Sequence, residues 1–177
     1  MNLPNKLTTA RVILIPFFLF FLMAEPVPAS KWIALAIFIV ASLTDLLDGK
    51  IARKYNLVTN FGKFMDPLAD KLLVCSALIA FIEMDRIPAI VVIVIIAREF
   101  IISGFRLIAC EKGTVIAAGW SGKVKTTVQM ITCILLIARL PFEPMRIVEQ
   151  VFIYASLILT IYSLVVYLVK NRDVLKD

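Results

Sequence analysis

The sequence predicts an all-α, polytopic membrane protein: a bundle of six transmembrane helices forming a single domain over residues 1–177. Hydrophobic residues make up 61% of the 177-residue chain, and only 18% of its residues are charged. A soluble domain is nearer half apolar, with about a quarter of its residues charged. Six apolar runs are separated by short breaks, none of which is long enough to form a separate soluble domain.

The six runs are each interpreted as a helix that crosses a bilayer whose apolar core is about 30 Å thick. In chain order they cover Thr8–Met23, Trp32–Leu47, Pro67–Ile82, Pro88–Ile108, Thr126–Ala138 and Ile147–Val169. Turn-forming and charged residues break the pattern at Glu25-Pro26 and Pro28, at 56–60, at Met84-Asp85-Arg86, and at Leu140-Pro141 and Glu143-Pro144.

The basic residues predict the orientation of these spans. Of 19 Lys and Arg residues, all but Lys31, Arg86, Arg139 and Arg146 fall on the side of the amino terminus if the six spans alternate in direction. Basic residues concentrate on the cytoplasmic side of membrane proteins. We therefore expect both termini, the second loop and the fourth loop in the cytoplasm.

Histidine is absent, and this excludes whole classes of chemistry. Ser-His-Asp and Cys-His catalysis and every histidine-liganded metal site are ruled out. The three cysteines, Cys75, Cys110 and Cys133, are widely spaced within apolar stretches, so they predict buried thiols rather than disulfides or a zinc site. Acid–base or metal chemistry must therefore depend on carboxylates.

Four aspartates lie at the predicted cytoplasmic ends of the second and third spans. Asp45 and Asp48 are three residues apart, and Asp66 and Asp70 are four apart, so each pair shares one face of a helix. Ionised carboxylates near a membrane span are costly and indicate function. Two divalent cations would balance four such charges, and an all-oxygen ligand set favours Mg²⁺ or Mn²⁺.

Structural roles are the alternative for individual aspartates. Asp66 precedes Pro67 and would cap a helix that starts there. Asp45 and Asp48 would pair with the neighbouring Arg53 or Lys50. Neither alternative accounts for four acids at these two spacings.

The acids belong to a longer pattern, whose fixed positions are Asp45, Asp48, Gly49, Ala52, Arg53, Gly62, Asp66 and Asp70. Eight fixed residues within 26 positions form a specific motif, and this one resembles that of the CDP-alcohol phosphatidyltransferase family at every position. Family members displace CMP from a CDP-linked lipid with the hydroxyl of a small alcohol. The length and six-span layout resemble the family along the whole chain.

The resemblance implies roles for these residues. The four aspartates would bind two metal ions, and Asp70 would also act as general base on the attacking hydroxyl. The positions Gly49, Ala52, Arg53 and Gly62 would bind the cytidine diphosphate portion of the donor, CDP-diacylglycerol, as would Asn5 and Thr8 near the amino terminus. For Thr8, a helix N-cap is an equal alternative. A homodimer in a bacterial-type inner membrane is also implied, with the site open to the cytoplasm and no nucleic-acid partner.

The acceptor is inferred from four basic residues of the fourth loop and its flanking spans: Arg98, Arg106, Lys123 and Lys125. This much positive charge suits a phosphorylated acceptor. The stretches 97–106, 122–127 and 2–11 are similar to family members that use sn-glycerol 3-phosphate. The alternatives are a topological role for these cations or contact with anionic lipid headgroups and, for Arg98, a structural pair with Glu99 or with another helix.

Three other functions remain open at this stage. Within the family, the acceptor would be inositol phosphate or another polyol phosphate. An intramembrane prenyltransferase also uses aspartate-rich motifs and Mg²⁺, but such chains are longer and differ in spacing. A divalent-cation channel or transporter would use an aspartate-lined path, and it gives no reason for Gly49, Ala52, Arg53 and Gly62 in the motif.

Overall fold

The computed structural model describes the backbone of residues 3–54, 60–111, 116 and 119–172 and, within them, the side chains of 5–44, 68, 69, 71–110, 116 and 119–172. These residues form six α-helices and no β-strand. The helices are α1 (Leu3–Met23), α2 (Ser30–Lys54), α3 (Asn60–Glu83), α4 (Ala89–Glu111), α5 (Trp120–Ala138) and α6 (Glu143–Lys170). The all-α prediction is confirmed for the described residues, with one helix for each apolar run.

Several helices begin well before the apolar run that predicts them. α3 begins at Asn60, so Pro67 lies inside it and Asp66 is not an N-cap. α1 begins at Leu3, so the N-cap alternative for Thr8 is also wrong. Hydropathy marks where a helix becomes apolar, whereas backbone hydrogen bonding extends the same helix into its polar flank.

Two of the described helical segments are long and apolar enough to cross a membrane by length and composition, namely Asn5–Met23 and Glu143–Lys170. The second begins with Pro144 in its first turn, where the missing N–H costs nothing, beside the acidic Glu143. It ends at Lys170, whose charge complements the carboxyl-terminal end of the helix dipole.

The chain divides into two compact units, and the prediction of one domain over residues 1–177 stays a prediction. Unit 1 comprises Met1–Arg86 and Cys133–Leu140, and unit 2 comprises Ile87–Thr132 and Pro141–Asp177. Helix α5 is therefore divided between the units after Thr132.

In unit 1, α1 contacts both α2 and α3. The rings of Phe18 and Phe38 lie 5.6 Å apart, and Arg11 contacts Ala41, so rising numbers on α1 meet falling numbers on α2. The two helices are therefore antiparallel. The six residues on the buried stripe of α1 change character along it: Asn5, Thr8 and Arg11 are polar, and Ile15, Phe18 and Leu22 are apolar.

Three helix ends in unit 1 turn through a non-glycine residue with positive φ: Glu25, Asp85 and Arg139. At Asp85 the hydrogen bonds from Arg86 N–H to the Phe81 carbonyl and from Asp85 N–H to the Ile82 carbonyl form a Schellman motif. Arg139 Nη2 donates to the Leu22 carbonyl at the end of α1 (3.0 Å), and its guanidinium also pairs with Glu25. The end of α1 is thus held by a residue that follows α5.

In unit 2, α4 packs against α6. Ile102, Phe105 and Tyr167 form the buried cluster at this contact, with the Phe105 and Tyr167 rings 5.6 Å apart in an edge-to-face arrangement. Helix α5 joins through Thr132, whose hydroxyl donates to the Phe152 carbonyl of α6 (3.2 Å). The buried stripe of α6 is largely polar and includes Glu149, Ser156, Thr160 and Ser163. Short polar side chains of this kind let helices approach closely and bond across the contact.

Candidate functional site

The four aspartates lie on two helices of unit 1. Asp45 and Asp48 belong to the last three turns of α2, and Asp66 and Asp70 to the first three turns of α3. The two helices contact each other. Because both segments are α-helical, the spacings of three and four residues place each pair on one helix face.

The side chains of the motif lie outside the described residues. This applies to Asp45, Asp48, Gly49, Ala52, Arg53, Gly62, Asp66 and Asp70. Within the described part of the chain, no three His, Cys, Asp or Glu side chains form a group that could hold a metal ion. The metal prediction therefore depends on the backbone placement of the aspartates and on their chemistry.

The polar half of the buried stripe of α1 lies beside the acidic end of α2. Asn5 and Thr8, the two nucleotide candidates on α1, are buried, with Thr8 fully so. Arg11 is also buried, and its Nε donates to the Ala41 carbonyl at 3.1 Å. Since α1 and α2 are antiparallel, residues that precede Arg11 lie beside residues that follow Ala41. This direction leads to Asp45 and Asp48.

A second charged cluster occupies unit 2, where Glu99 binds two of the four acceptor candidates. Arg98 Nη1 lies 3.1 Å from Glu99 Oε1, and Lys125 Nζ of α5 donates to the same oxygen. Arg98 and Lys125 are both buried, and the Glu99 side chain is 17% exposed. Two cations therefore share one carboxylate, and charge-assisted bonds of this kind are among the strong ones.

Gly122 lies next to this cluster. A Cβ atom built at that position would lie 3.6 Å from Arg98 Nη2, which is an ordinary contact distance. Gly122 and Lys125, about one turn apart on α5, therefore both lie close to the Arg98–Glu99 pair.

The other two acceptor candidates are exposed. Arg106 lies two turns further along α4, about 12 Å from Arg98 by helix geometry. Its guanidinium carbon is 5.9 Å from the centre of the Tyr167 ring, a cation–π contact. Lys123 is exposed on the first turn of α5. The structure therefore brings Arg98 and Lys125 together through Glu99 and leaves Arg106 and Lys123 outside that ion-pair cluster.

Buried polar atoms without a hydrogen-bond partner occur on all three helices of unit 2: Arg98 Nε, Gln129 Oε1, Ser156 Oγ and Thr160 Oγ1. Gln129 lies one turn after Lys125 on α5, so both fall on the same helix face. Unpaired buried polar atoms cost free energy and call for a bound partner such as water or a ligand.

Two residues, one in each unit, make contacts that the sequence does not indicate. The sequence offers a structural pair between Arg98 and Glu99, which the structure contains, but not the bond from Lys125 to Glu99 across 26 positions. Arg11 is, in the sequence, only one of the basic residues that predict orientation. The signal for Arg11 is the spacing of Asn5, Thr8 and Arg11, which share one helix face at intervals of three.

Comparison with known proteins identifies relatives along nearly the whole chain. The family model described as CDP-alcohol phosphatidyltransferase matches residues 1–162. A Bacillus subtilis (strain 168) protein named CDP-diacylglycerol–glycerol-3-phosphate 3-phosphatidyltransferase is 45% identical over 188 residues, which cover 99% of this chain and 97% of the relative. A Haemophilus influenzae protein of the same name is 42% identical over a stretch that covers 99% of this chain and 96% of the relative. A Rickettsia felis protein, also of that name, is 43% identical over 77% of this chain and 75% of its own.

Proposed function

Because the chain belongs to the CDP-alcohol phosphatidyltransferase family, we propose that it transfers the phosphatidyl group of CDP-diacylglycerol to sn-glycerol 3-phosphate. The products are phosphatidylglycerophosphate and CMP. The observation that carries this proposal is the similarity along 99% of the chain to relatives whose names state this donor, this acceptor and this transfer. The reaction is a step of phospholipid biosynthesis.

Divalent cations are part of the proposal, held by Asp45, Asp48, Asp66 and Asp70. The residues fit such ions: four carboxylates lie on two contacting helices of one unit, and each pair shares a helix face. Carboxylate oxygens alone suit Mg²⁺ or Mn²⁺. When bound, two such ions supply charge neutralisation for the four carboxylates and for the diphosphate of the donor.

Asp70 is the proposed general base. Its carboxylate takes the proton from the acceptor hydroxyl, and that oxygen forms a bond to the phosphorus that carries diacylglycerol. The bond from this phosphorus to the bridging oxygen of the diphosphate breaks, and the electron pair leaves with CMP. The residues Gly49, Ala52, Arg53, Gly62, Asn5 and Thr8 bind the donor in this proposal.

The acceptor phosphate is assigned to Arg98, Arg106, Lys123 and Lys125. Support comes from the burial of Arg98 and Lys125, which meet at Glu99, because an anion interacts more strongly with cations in a region of low dielectric constant. Arg106 and Lys123 are exposed and available to a soluble anion. A neutral acceptor does not need this charge.

For the setting of the enzyme, we propose six transmembrane helices with both termini on the cytoplasmic side of a bacterial-type inner membrane, and a homodimer. The two segments that pass the length and composition test support membrane insertion, and the distribution of basic residues supports the orientation. Soluble glycerol 3-phosphate then reaches the site from the cytoplasm.

The test is CMP release by the purified protein in detergent with CDP-diacylglycerol, Mg²⁺ and one acceptor at a time. We expect release with sn-glycerol 3-phosphate that stops with EDTA and returns with excess Mg²⁺. Release of CMP only with inositol phosphate would show that this compound, and not glycerol 3-phosphate, is the acceptor. The assignment to the family reaction would then stand. A folded protein that releases no CMP with any acceptor would overturn the proposal.

A further inference from the structure

Arg11 is a buried cation that the proposed chemistry does not use. It is 1% exposed, the lowest value among the arginines whose side chains the structure describes. Removing a guanidinium from water costs several kcal/mol unless its donors are satisfied. An arginine at this position must therefore make specific bonds within unit 1.

One of these bonds ties α1 to α2 at the start of the acidic segment. Arg11 Nε donates to the Ala41 carbonyl at 3.1 Å. In an α-helix this same carbonyl accepts the backbone N–H of Asp45, four residues later. The Thr44 hydroxyl donates to it as well, at 2.8 Å. Arg11 thus bonds directly to the helical turn that carries Asp45.

The position of Arg11 on α1 supports a role toward that segment. It is the last polar residue of the buried stripe, after Asn5 and Thr8 and before Ile15. Beyond it the contact between α1 and α2 is apolar, as at Phe18 and Phe38. The bond from Arg11 to Ala41 lies where the polar half of the α1 stripe meets its apolar half. It therefore fixes the position of α2 along the axis of α1.

We propose that Arg11 is a positioning residue for the metal-binding acids: it holds the Ala41–Asp45 turn of α2 against α1, and the Asp45 and Asp48 carboxylates depend on this for their placement. The inference rests on the proposed function, because it takes the four aspartates as metal ligands. It differs from a role as counter-charge, in which Arg11 would only reduce the repulsion among the acids.

The two roles predict opposite changes in metal affinity. Loss of positioning weakens the binding of a divalent cation, whereas loss of a nearby positive charge strengthens it. Arg11→Gln removes both the charge and the long donor. Arg11→Lys keeps the charge and retains a donor that reaches the carbonyl. The sign of the change in Arg11→Gln therefore separates the two roles.

The experiment measures Mn²⁺ binding by electron paramagnetic resonance on each purified full-length protein, without substrates. We expect about tenfold weaker binding in Arg11→Gln and binding within about threefold of wild type in Arg11→Lys, since tenfold corresponds to the loss of about one good hydrogen bond to a charged group. Arg139→Gln is the matched control, because Arg139 also donates to a main-chain carbonyl of unit 1, at Leu22. We expect it to leave Mn²⁺ affinity within about twofold, even where it lowers thermal stability.

Tighter or unchanged Mn²⁺ binding in Arg11→Gln would overturn the inference. If Arg11→Gln gives no folded protein, Thr44→Val takes its place, because it removes another donor to the Ala41 carbonyl and leaves the charge intact. About threefold weaker binding is then expected, and unchanged affinity overturns the inference. Wild-type protein that binds no Mn²⁺ would overturn the metal proposal as well, whereas the CMP assay judges the transfer reaction independently.

Discussion

In unit 1 the buried Arg11 donates to a main-chain carbonyl, whereas in unit 2 the buried Lys125 and Arg98 share the carboxylate of Glu99. A bond to a carbonyl ties the cation to the main chain of one helical turn, at the start of the segment that carries Asp45 and Asp48. A shared carboxylate ties α4 to α5 through their side chains. The two arrangements suit the proposed division of tasks, in which metal cations are bound in unit 1 and the acceptor phosphate in unit 2.

The largest effect should come from the acids of unit 1. Asp70→Asn keeps the size of the side chain and removes its ability to take a proton, so we expect CMP release to fall by at least about 1,000-fold. This lies within the range of about 10²–10⁴-fold usual for a general base, and not at its lower end because a proposed metal ligand is lost too. Binding of CDP-diacylglycerol should largely persist, as measured with radiolabelled donor.

Asp85→Asn is the control for this change. Asp85 is an acid of unit 1 as well, but it lies at the opposite end of α3, in the turn after the helix. Its variant should retain turnover within about twofold. Near-normal turnover in Asp70→Asn would exclude Asp70 as the general base. It would also count against the proposal that unit 1 binds the metal ions.

Glu99→Gln tests how unit 2 holds its cations. The change removes the carboxylate that the buried Arg98 and Lys125 share, and breaking a buried pair in this way costs about 3–5 kcal/mol. We expect a marked fall in the melting temperature, measured by thermal unfolding in detergent. The double variant Glu99→Gln/Lys125→Met should recover part of the loss, since one of the two buried cations that pair with Glu99 is then removed.

Additive losses in the double variant would show that Glu99 and Lys125 stabilise the fold independently. The Lys125→Met single variant completes the cycle. CMP release by the double variant then gives the contribution of Lys125 to acceptor binding, separated from its contribution to stability.

Arg106→Ala tests an acceptor candidate of unit 2 that lies outside the ion-pair cluster. Arg106 is exposed and not part of the Glu99 cluster, so its loss should leave stability nearly unchanged. If it binds the acceptor phosphate equally in the ground and transition states, the apparent KM for glycerol 3-phosphate should rise about tenfold with kcat within about twofold.

Arg146→Ala provides the matched comparison for Arg106→Ala. Arg146 is a basic residue in the first turn of α6, on the side predicted to face away from the cytoplasm. The apparent KM of Arg146→Ala for glycerol 3-phosphate should equal that of the wild-type protein. An unchanged KM in Arg106→Ala would return Arg106 to a role in membrane orientation.

The smallest effect concerns a turn found in unit 1. In the described part of the chain, every non-glycine residue with positive φ belongs to that unit. Asp85→Gly relieves a left-handed conformation that costs an L-residue about 1–2 kcal/mol, but it also adds freedom to the unfolded chain. We expect Asp85→Gly to raise the free energy of unfolding by about 0.5 kcal/mol, as measured by thermal unfolding. Asp85→Ala should lower it.

The sequence predicts the number and order of the helices well, because each of the six apolar runs is long enough to form a helix. It places their ends poorly, as at Asn60, where α3 begins seven residues before Pro67. A proline inside a helix removes one N–H, and the remaining hydrogen bonds continue around it. Hydropathy therefore misses the polar turns that carry Gly62 and Asp66.

Among the charged residues, too, local patterns can be predicted from the sequence, whereas contacts between helices cannot. The aspartate motif is local, so its spacing is visible within two helices. The bond between Lys125 and Glu99 joins α4 to α5, and nothing in either segment alone specifies it. Arg11 contributes to a charge count like any other basic residue, and only the packing of α1 on α2 reveals that it is buried.

The bond from Arg139 to the Leu22 carbonyl also constrains the order of events during synthesis. The two residues are 117 positions apart, and unit 1 is assembled from Met1–Arg86 and the later stretch Cys133–Leu140. The last carbonyls of a helix have no partner within it. When the α1–α2 hairpin leaves the ribosome, the Leu22 carbonyl therefore lacks its Arg139 donor, which is synthesised only after α3, α4 and α5. A nascent chain stopped before residue 139 holds the entire aspartate motif in a unit that is not yet complete.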